Sequence, residues 1–355
     1  MPGRPVKRAG RGHLGVWDPT GGEARRGSGL PVEAGEEEIS ILARAGGRVW
    51  EVEAEGLAGT LREAEMVWID LLRPHDRSRA ILEEVLELAP LTVEDCLSPL
   101  RMPKVDFFGG GAFVAGFAAR LEGDGPVRLS AVEVDLVFGE SWLVTVRDGP
   151  LEEVRARIGQ RLASPAGTGT PGAELAYRAL DALVDGHLPA LVRVAAAAEE
   201  LESSLDPTRE RASLGALEAL ISMKRDLQAF RRLAVAQQEV IRRLGRSFRE
   251  QREYLSDVSD NQREAVDMAD ATRDYVDGAI EAYRMRRDER SELGIRRLTV
   301  LAALLGPLSV LAGWYGVNFK HLPGQDNPAG FWVFIAVQLV FVLVSALYLR
   351  RRGLL

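Results

Sequence analysis

Two charge-free apolar segments near the C-terminus, 298–315 and 331–349, constrain this chain more than anything else in it. LTVLAALLGPLSVLAGWY and FWVFIAVQLVFVLVSALYL each approach the ~20 residues that cross a ~30 Å hydrocarbon core. A short polar loop, GVNFKHLPGQDNPAG, joins them. Such a pair predicts a transmembrane hairpin behind a water-soluble body. Arg284, Arg286, Arg287, Arg290, Arg296 and Arg297 precede the first segment, and Arg350, Arg351 and Arg352 follow the second. The loop holds only Lys320 as a firm cation. The positive-inside bias therefore predicts a multi-pass protein of the inner or plasma membrane, both termini cytoplasmic and the loop outside. Trp314, Tyr315, Phe331 and Trp332 fall where an outer aromatic belt belongs.

The first segment is more than an anchor. Thr299, Ala302, Ala303, Gly306, Ser309 and Gly313 recur at spacings of three and four. A stripe of small side chains lets helix backbones approach closely in lipid, so this segment is expected to pack against protein. The second segment is bulkier and suits a lipid-facing role. Pro307 frees a backbone carbonyl one turn earlier and bends the helix. Two helices cannot enclose a pore, so an ion path requires several copies whose first segments surround an axis.

The remainder excludes several alternatives. The formal charge of -7 over 355 residues argues against a nucleic-acid partner. One cysteine, Cys96, rules out a disulfide framework or a cysteine-rich zinc site. His13, His75, His187 and His321 are scattered, and neither HExxH, GxSxG nor a phosphate-binding loop appears, so neither an enzyme nor a resident cofactor is expected. Gly109, Gly110 and Gly111 read as a hairpin turn.

Residues 1–37, rich in Arg, Gly and Pro without an apolar core, read as a flexible tail. Residues 38–163 read as an α/β domain. Strands are predicted over 39–43, 48–54, 67–71, 112–119, 130–138 and 141–147, with helices over 76–88 and 91–97. SPAGTGTPG marks a linker at 164–173. From 174 to 297 the pattern is helical stalk: a helix over 174–205 kinked by Pro189, one over 209–244, and a third from 249 toward Tyr315. That last helix would span roughly 65 residues and on the order of 100 Å. Its thin apolar pattern does not sustain coiled-coil heptads.

Tyr315-Gly316-Val317-Asn318-Phe319, closing one apolar segment ahead of a short loop and a second segment, resembles the Gly-Met-Asn signature of the CorA family of divalent-cation transporters. The likeness covers roughly 38–355 and extends upstream. Thr92-Val93-Glu94-Asp95, Arg101-Met102-Pro103-Lys104-Val105-Asp106-Phe107-Phe108, Leu180-Asp181-Ala182-Leu183-Val184-Asp185 and Leu255-Ser256-Asp257-Val258-Ser259-Asp260 are similar to family stretches in the same order. The resemblance implies a funnel-shaped homopentamer. Its parts would be an α+β cytoplasmic domain, long stalk helices and a C-terminal two-helix transmembrane hairpin. Transmembrane helix 298–318 would line the pore, 319–330 would form the external loop, 331–349 the second span and 350–355 a basic cytoplasmic tail.

Family positions then carry roles residue by residue. Asn318, with Gly316 and Val317, would ring the outer mouth, its amide oxygens meeting a hydrated divalent ion. Ile295 and Leu298 match apolar constrictions near the cytoplasmic end of the pore, and Ser309 and Gly313 match positions facing it. Gly306 stands where a bulky apolar pore residue is common. Glu292, at the cytoplasmic entrance, stands where magnesium members tend to carry Asn; it would concentrate cations or pair with Arg296. Asp95 and Asp257, with Glu94 nearby, match carboxylates that hold a regulatory divalent ion between neighbouring subunits. Divalent cations would thus be both substrate and regulator, with lipid and further copies of the chain as partners.

Two departures bear on the ion. Val317 replaces the family Met, and Leu322-Pro323-Gly324 stands where magnesium members usually have Met-Pro-Glu. Both resemble the zinc-transporting ZntB branch, so Mg²⁺ and Zn²⁺ stay open, with Co²⁺ and Ni²⁺ as further cargo. A membrane-tethered scaffold without transport is the alternative from another class; it would tolerate loss of the Asn318 amide.

Overall fold

The computed structural model describes residues 39–73, 76–99, 102–123, 127–149, 151–164, 167, 169–206, 208, 210–316 and 329–351. These fall into two compact units. The first runs to Ser204 and resumes over Leu214–Asp277; the second comprises Leu205–Ser213 and Gly278–Leu355.

The first unit is built on a seven-stranded sheet: β1 (Ile39–Ala45), β2 (Arg48–Glu51), β3 (Met66–Leu72), β4 (Lys104–Phe108), β5 (Gly111–Glu122), β6 (Arg128–Phe138) and β7 (Trp142–Arg147). Its spatial order is β2-β1-β3-β7-β6-β5-β4. Only β3 and β7 pair in parallel, with Ile69 opposite Val144; every other ladder is antiparallel. Alternation along the strands feeds two cores. Met66, Trp68, Val134, Leu136 and Phe138 lie in one; Val67, Ile69, Leu71, Val137 and Val144 lie in the other.

Helices cover both faces. The second core takes side chains from α1 (Leu57–Glu63), from the π turn Ile81–Val85 that follows α2 (Asp76–Ala80), and from α3 (Pro90–Leu97). The first core packs against α4 (Glu152–Ala163) and α5 (Pro171–Asp185). It also takes Val240, Ile241 and Leu244 from α7 (Glu210–Ser247), and Leu255 and Val258 from α8 (Arg252–Gly316). The helices α6 (His187–Ser203) and α9 (Gly330–Arg351) complete the set.

The strands and the long helix follow the sequence pattern, but four details differ. The periodicity over 76–88 resolves into a five-residue α turn and a π turn, ending where Glu87 takes a positive φ of 51°. The helix predicted over 174–205 breaks at Gly186 rather than at Pro189. Pro189 is the third residue of α6, within the first turn, where a missing N–H costs no intrahelical bond. The segment read as a linker ends inside α5, which starts at Pro171. There Gly172 donates its N–H to Glu140 O at 3.0 Å. A Cβ on Gly172 would run into the Gly139 carbonyl, so only glycine lets α5 dock on the β6–β7 turn. Finally, α1, β4 and α4 are absent from the sequence expectations: α1 buries only Leu57 and β4 only Val105, whereas α4 buries Val154, Ile158 and Leu162 at helical spacing, a pattern present in the sequence.

Candidate functional site

The second unit contains the apolar half of α8. The helix runs without interruption from Arg252 to Gly316 with Pro307 inside it. Pro307 has no N–H, which leaves the Ala303 carbonyl without its intrahelical donor. It is long and apolar enough to cross a membrane, and its most apolar 18-residue stretch is 6 % buried. A core helix of a water-soluble domain is mostly buried; this one turns Ile295 (61 % exposed), Leu298 (68 %) and Val310 (69 %) outward. α9 is a second helix of 22 residues, with Trp332, Val333, Val337, Leu343 and Val344 likewise exposed.

The polar positions of the apolar half look after themselves. Thr299 Oγ1 donates to Ile295 O at 2.9 Å, and Ser309 Oγ donates to Leu305 O at 2.9 Å. Each hydroxyl thus has its proton engaged on its own helix and its lone pairs left for another group. A Cβ added at Gly306 or Gly313 meets nothing within 4 Å. Neither glycine is required by a contact among the described residues. Glu292 is exposed, in a shallow concavity with Glu289, Leu293, Ile295 and Arg296. Among the described ion pairs none joins it to Arg296, so the carboxylate faces solvent.

The family model described as "CorA-like Mg2+ transporter protein" matches residues 63–351, which takes in the sheet, the long helix and the apolar tail. The chain belongs to the CorA family. YfjQ of Bacillus subtilis is 25% identical to it over 295 residues, covering 81% of this chain and 89% of its own length. The cobalt/magnesium transport protein CorA of Thermotoga maritima is 24% identical over 298 residues, covering 80% and 82%. The complete structure of the CorA magnesium transporter from Methanocaldococcus jannaschii superposes with a TM-score of 0.76 at 18% identity, over 90% of this chain and 99% of that one. This last likeness is one of fold.

The acidic positions that the likeness ties to a regulatory ion in this CorA chain, Glu94, Asp95 and Asp257, sit in the first unit. Glu94 is exposed on α3 and Asp257 is exposed on α8. Asp95, less exposed than either, accepts a hydrogen bond from Lys104 Nζ at 2.6 Å, and the same ammonium lies 3.1 Å from Asp106. Burial pulls the Lys104 ammonium down, but the hydrogen bonds it donates to Asp95 and Asp106 outweigh it and hold its pKa above the ordinary value. Asp257 acts instead on Tyr177 and Asp181. Burial is the first cause of their raised pKa values, and the Asp257 charge adds to both. Among the described residues no group of three or more His, Cys, Asp or Glu side chains is placed to hold a metal ion. One copy of the chain therefore does not assemble Glu94, Asp95 and Asp257 into a site. Gly316 is the last residue of α8; Val317, Asn318 and His321 lie outside the described residues.

Two features escaped the sequence reading. Lys104 was visible only as part of a family stretch, and its pairing with Asp95 depends on β4 lying beside α3. Asp257 belongs to an exposed row on α8, with Glu253, Asp260, Glu264 and Asp267, spaced three and four apart. The acidic spacing is visible in the sequence; its exposure along one face of α8 is not.

Proposed function

We propose that this chain is one subunit of a homo-oligomeric divalent-cation transporter, a homopentamer in which α8 lines a central pore. The observation that carries the reading is the apolar half of α8: exposed in the single chain, with open space around Gly306 and Gly313. Such a surface is suited to close contact with further copies of itself inside a bilayer. In this reading 298–318 is the pore-lining span, 319–330 the external loop and 331–349 the second span, with both termini cytoplasmic. Residues 38–163 and 174–297 form the cytoplasmic domain and stalk.

Ions enter past the Gly316-Val317-Asn318 mouth. They pass Gly313, Ser309 and Gly306, then the apolar constrictions at Leu298 and Ile295, and leave beside Glu292. An apolar constriction conducts only when wide enough to stay wet, which makes the cytoplasmic end the gate. Glu94 and Asp95 of one copy and Asp257 of the next hold the regulatory ion; bridging carboxylates that otherwise repel favours the closed arrangement. Mg²⁺, with Co²⁺, is the first candidate cargo, in line with the names of the relatives. Zinc transport coupled to protons is the second reading, favoured by Val317 and Gly324.

Proteoliposome uptake of Mg²⁺, Zn²⁺, Co²⁺ and Ni²⁺, with and without an inward proton gradient, tests both. Flux of Mg²⁺ driven by membrane potential supports the first; zinc flux stimulated by the gradient supports the second. No flux of any ion from a correctly folded oligomer rejects transport, and undiminished flux in Asn318→Ala rejects the assigned pore mouth.

A further inference from the structure

Strand β4 covers only the first part of β5: the ladder ends with Lys104 opposite Ala115. Beyond it the outer edge of β5 has no strand partner among the described residues, and an open edge leaves backbone groups to be satisfied by other means. At Phe117 they are satisfied by side chains from helices. Gln237 of α7 accepts the Phe117 N–H at 2.8 Å, and its own amide nitrogen lies 3.5 Å from Phe117 O. His187, the first residue of α6, places Nε2 3.3 Å from the same carbonyl. Its Nδ1 lies 3.0 Å from Gln262 Oε1 of α8. The orientation of Gln262 is fixed from the other side, where its Nε2 donates to Ala234 O at 3.1 Å.

The imidazole is fully buried. It stacks on Phe117 at 4.8 Å between ring centres and meets the edge of Phe230 at 5.2 Å. Both ring nitrogens thus face acceptors. A neutral imidazole has one N–H and serves one of them, turning a lone pair on the other; only the imidazolium serves both. Among the described residues the groups that meet the ring are neutral: Phe117 from β5, Phe230 from α7 and Gln262 from α8, and no charged side chain contributes to its shift.

We propose that His187 is a proton-operated latch fastening α7 and the first half of α8 to the open edge of β5. Burial is the dominant influence and holds the packed ring neutral, with a pKa lowered to about 4 against an ordinary 6.5; the bonds to Phe117 O and Gln262 offset it only in part. Once the helices part from the edge and water reaches the ring, the ordinary value returns. The parted state then binds more protons between about pH 6.5 and 4. Acid therefore favours release, and the latch has its full strength above pH 6.5.

Hydrogen exchange of the full-length protein in detergent micelles tests this. The readouts are peptides spanning 258–266 of α8, compared with peptides from β3. After correction for intrinsic exchange, protection of the α8 peptides should fall on the order of tenfold to thirtyfold between pH 7.5 and 5. β3 should change far less. His187→Phe keeps the stacking and His187→Gln keeps a polar group; both should flatten the pH slope, whatever their absolute stability. A wild-type profile that is flat over this range overturns the proposal without any variant. So does an unchanged slope in whichever variant folds. Neither readout depends on ion transport.

Discussion

Lys104 holds its ammonium 2.6 Å from Asp95, on the carboxylate that the family likeness assigns to a regulatory cation. The chain thus brings a cation of its own to a position where an external one is expected to act. A monovalent ammonium on a flexible stem and a divalent ion compete for the same lone pairs.

Removing that competitor should sensitise the transporter to its regulator. The pair is partly exposed, 36 % at Lys104 and 23 % at Asp95, so its net worth is about 0.2–1 kcal/mol. Lys104→Gln should therefore lower the cytoplasmic Mg²⁺ concentration that half-inhibits flux by roughly 1.5- to fivefold. Asp95→Ala combined with Asp257→Ala should weaken inhibition instead. Both are read from Mg²⁺ titrations of proteoliposome uptake. A Lys104→Gln titration that superposes on wild type would mean that Asp95 does not meet the regulatory ion.

Gly306 and Gly313 have open space around them within one chain, so a large side chain meets no obstacle there until copies assemble. Gly306→Leu and Gly313→Leu should leave the thermal unfolding of the sheet-containing unit unchanged within ~0.5 kcal/mol. They should still lower the oligomer fraction in light scattering or abolish flux. Normal assembly with normal flux in both variants would show that these glycines face lipid rather than protein.

Glu292 faces solvent without an ion pair among the described residues, and a ring of such carboxylates raises the local cation concentration. Glu292→Gln should raise the Mg²⁺ concentration for half-maximal flux by about two- to tenfold at low ionic strength. The difference should shrink at 0.5 M salt, where the Debye length falls to about 4 Å. An effect independent of salt would point to direct ligation instead.

How much of this was legible in the sequence depended on how local the cause was. The strand runs around Val67, Val134 and Val144 alternate and were read correctly, because one side chain in two meets each core. The length of α8 followed from the near absence of helix breakers. The break at Gly186 was not legible, because Pro189 looks like a breaker until its place in the first turn of α6 is known. β4 shows one buried residue, Val105, and an edge strand of that kind has no pattern to find. Among the site residues, Gly306, Ser309 and Gly313 were visible as a stripe. Contacts such as Lys104 with Asp95, or His187 with Gln262, arise only when elements 9 or 75 residues apart in sequence meet. Charge did leave one trace: Glu133 and Asp135 alternate in β6 with Val132, Val134 and Leu136.

That trace leads to the buried pair of Arg73 and Asp135, both under a tenth exposed, with Glu133 2.9 Å from the same guanidinium. Burial pushes the Asp135 carboxyl up to about 8, with Arg73 pulling it down and Glu133 and Asp148 adding to the rise. Because its folded pKa lies above the ordinary 3.8, Asp135 binds its proton more tightly in the folded state. Its contribution to stability is therefore greatest in acid and is lost as pH rises toward 8. Arg73→Met removes a guanidinium that hydrogen-bonds to it and draws its pKa down, so the variant's carboxyl should keep its proton beyond pH 8 while wild type gains the ion pair; the variant's loss of stability should be about 2 kcal/mol larger at pH 9.5 than at pH 5.5. At pH 5.5 the carboxyl is protonated and the loss should be clearly smaller. Adding Asp135→Asn to Arg73→Met should remove this site's share of the pH dependence. Denaturant melts of wild type, Arg73→Met and the double variant at the two pH values check this. Equal losses at pH 5.5 and 9.5 would show that Arg73 acts through packing rather than through the charge of Asp135.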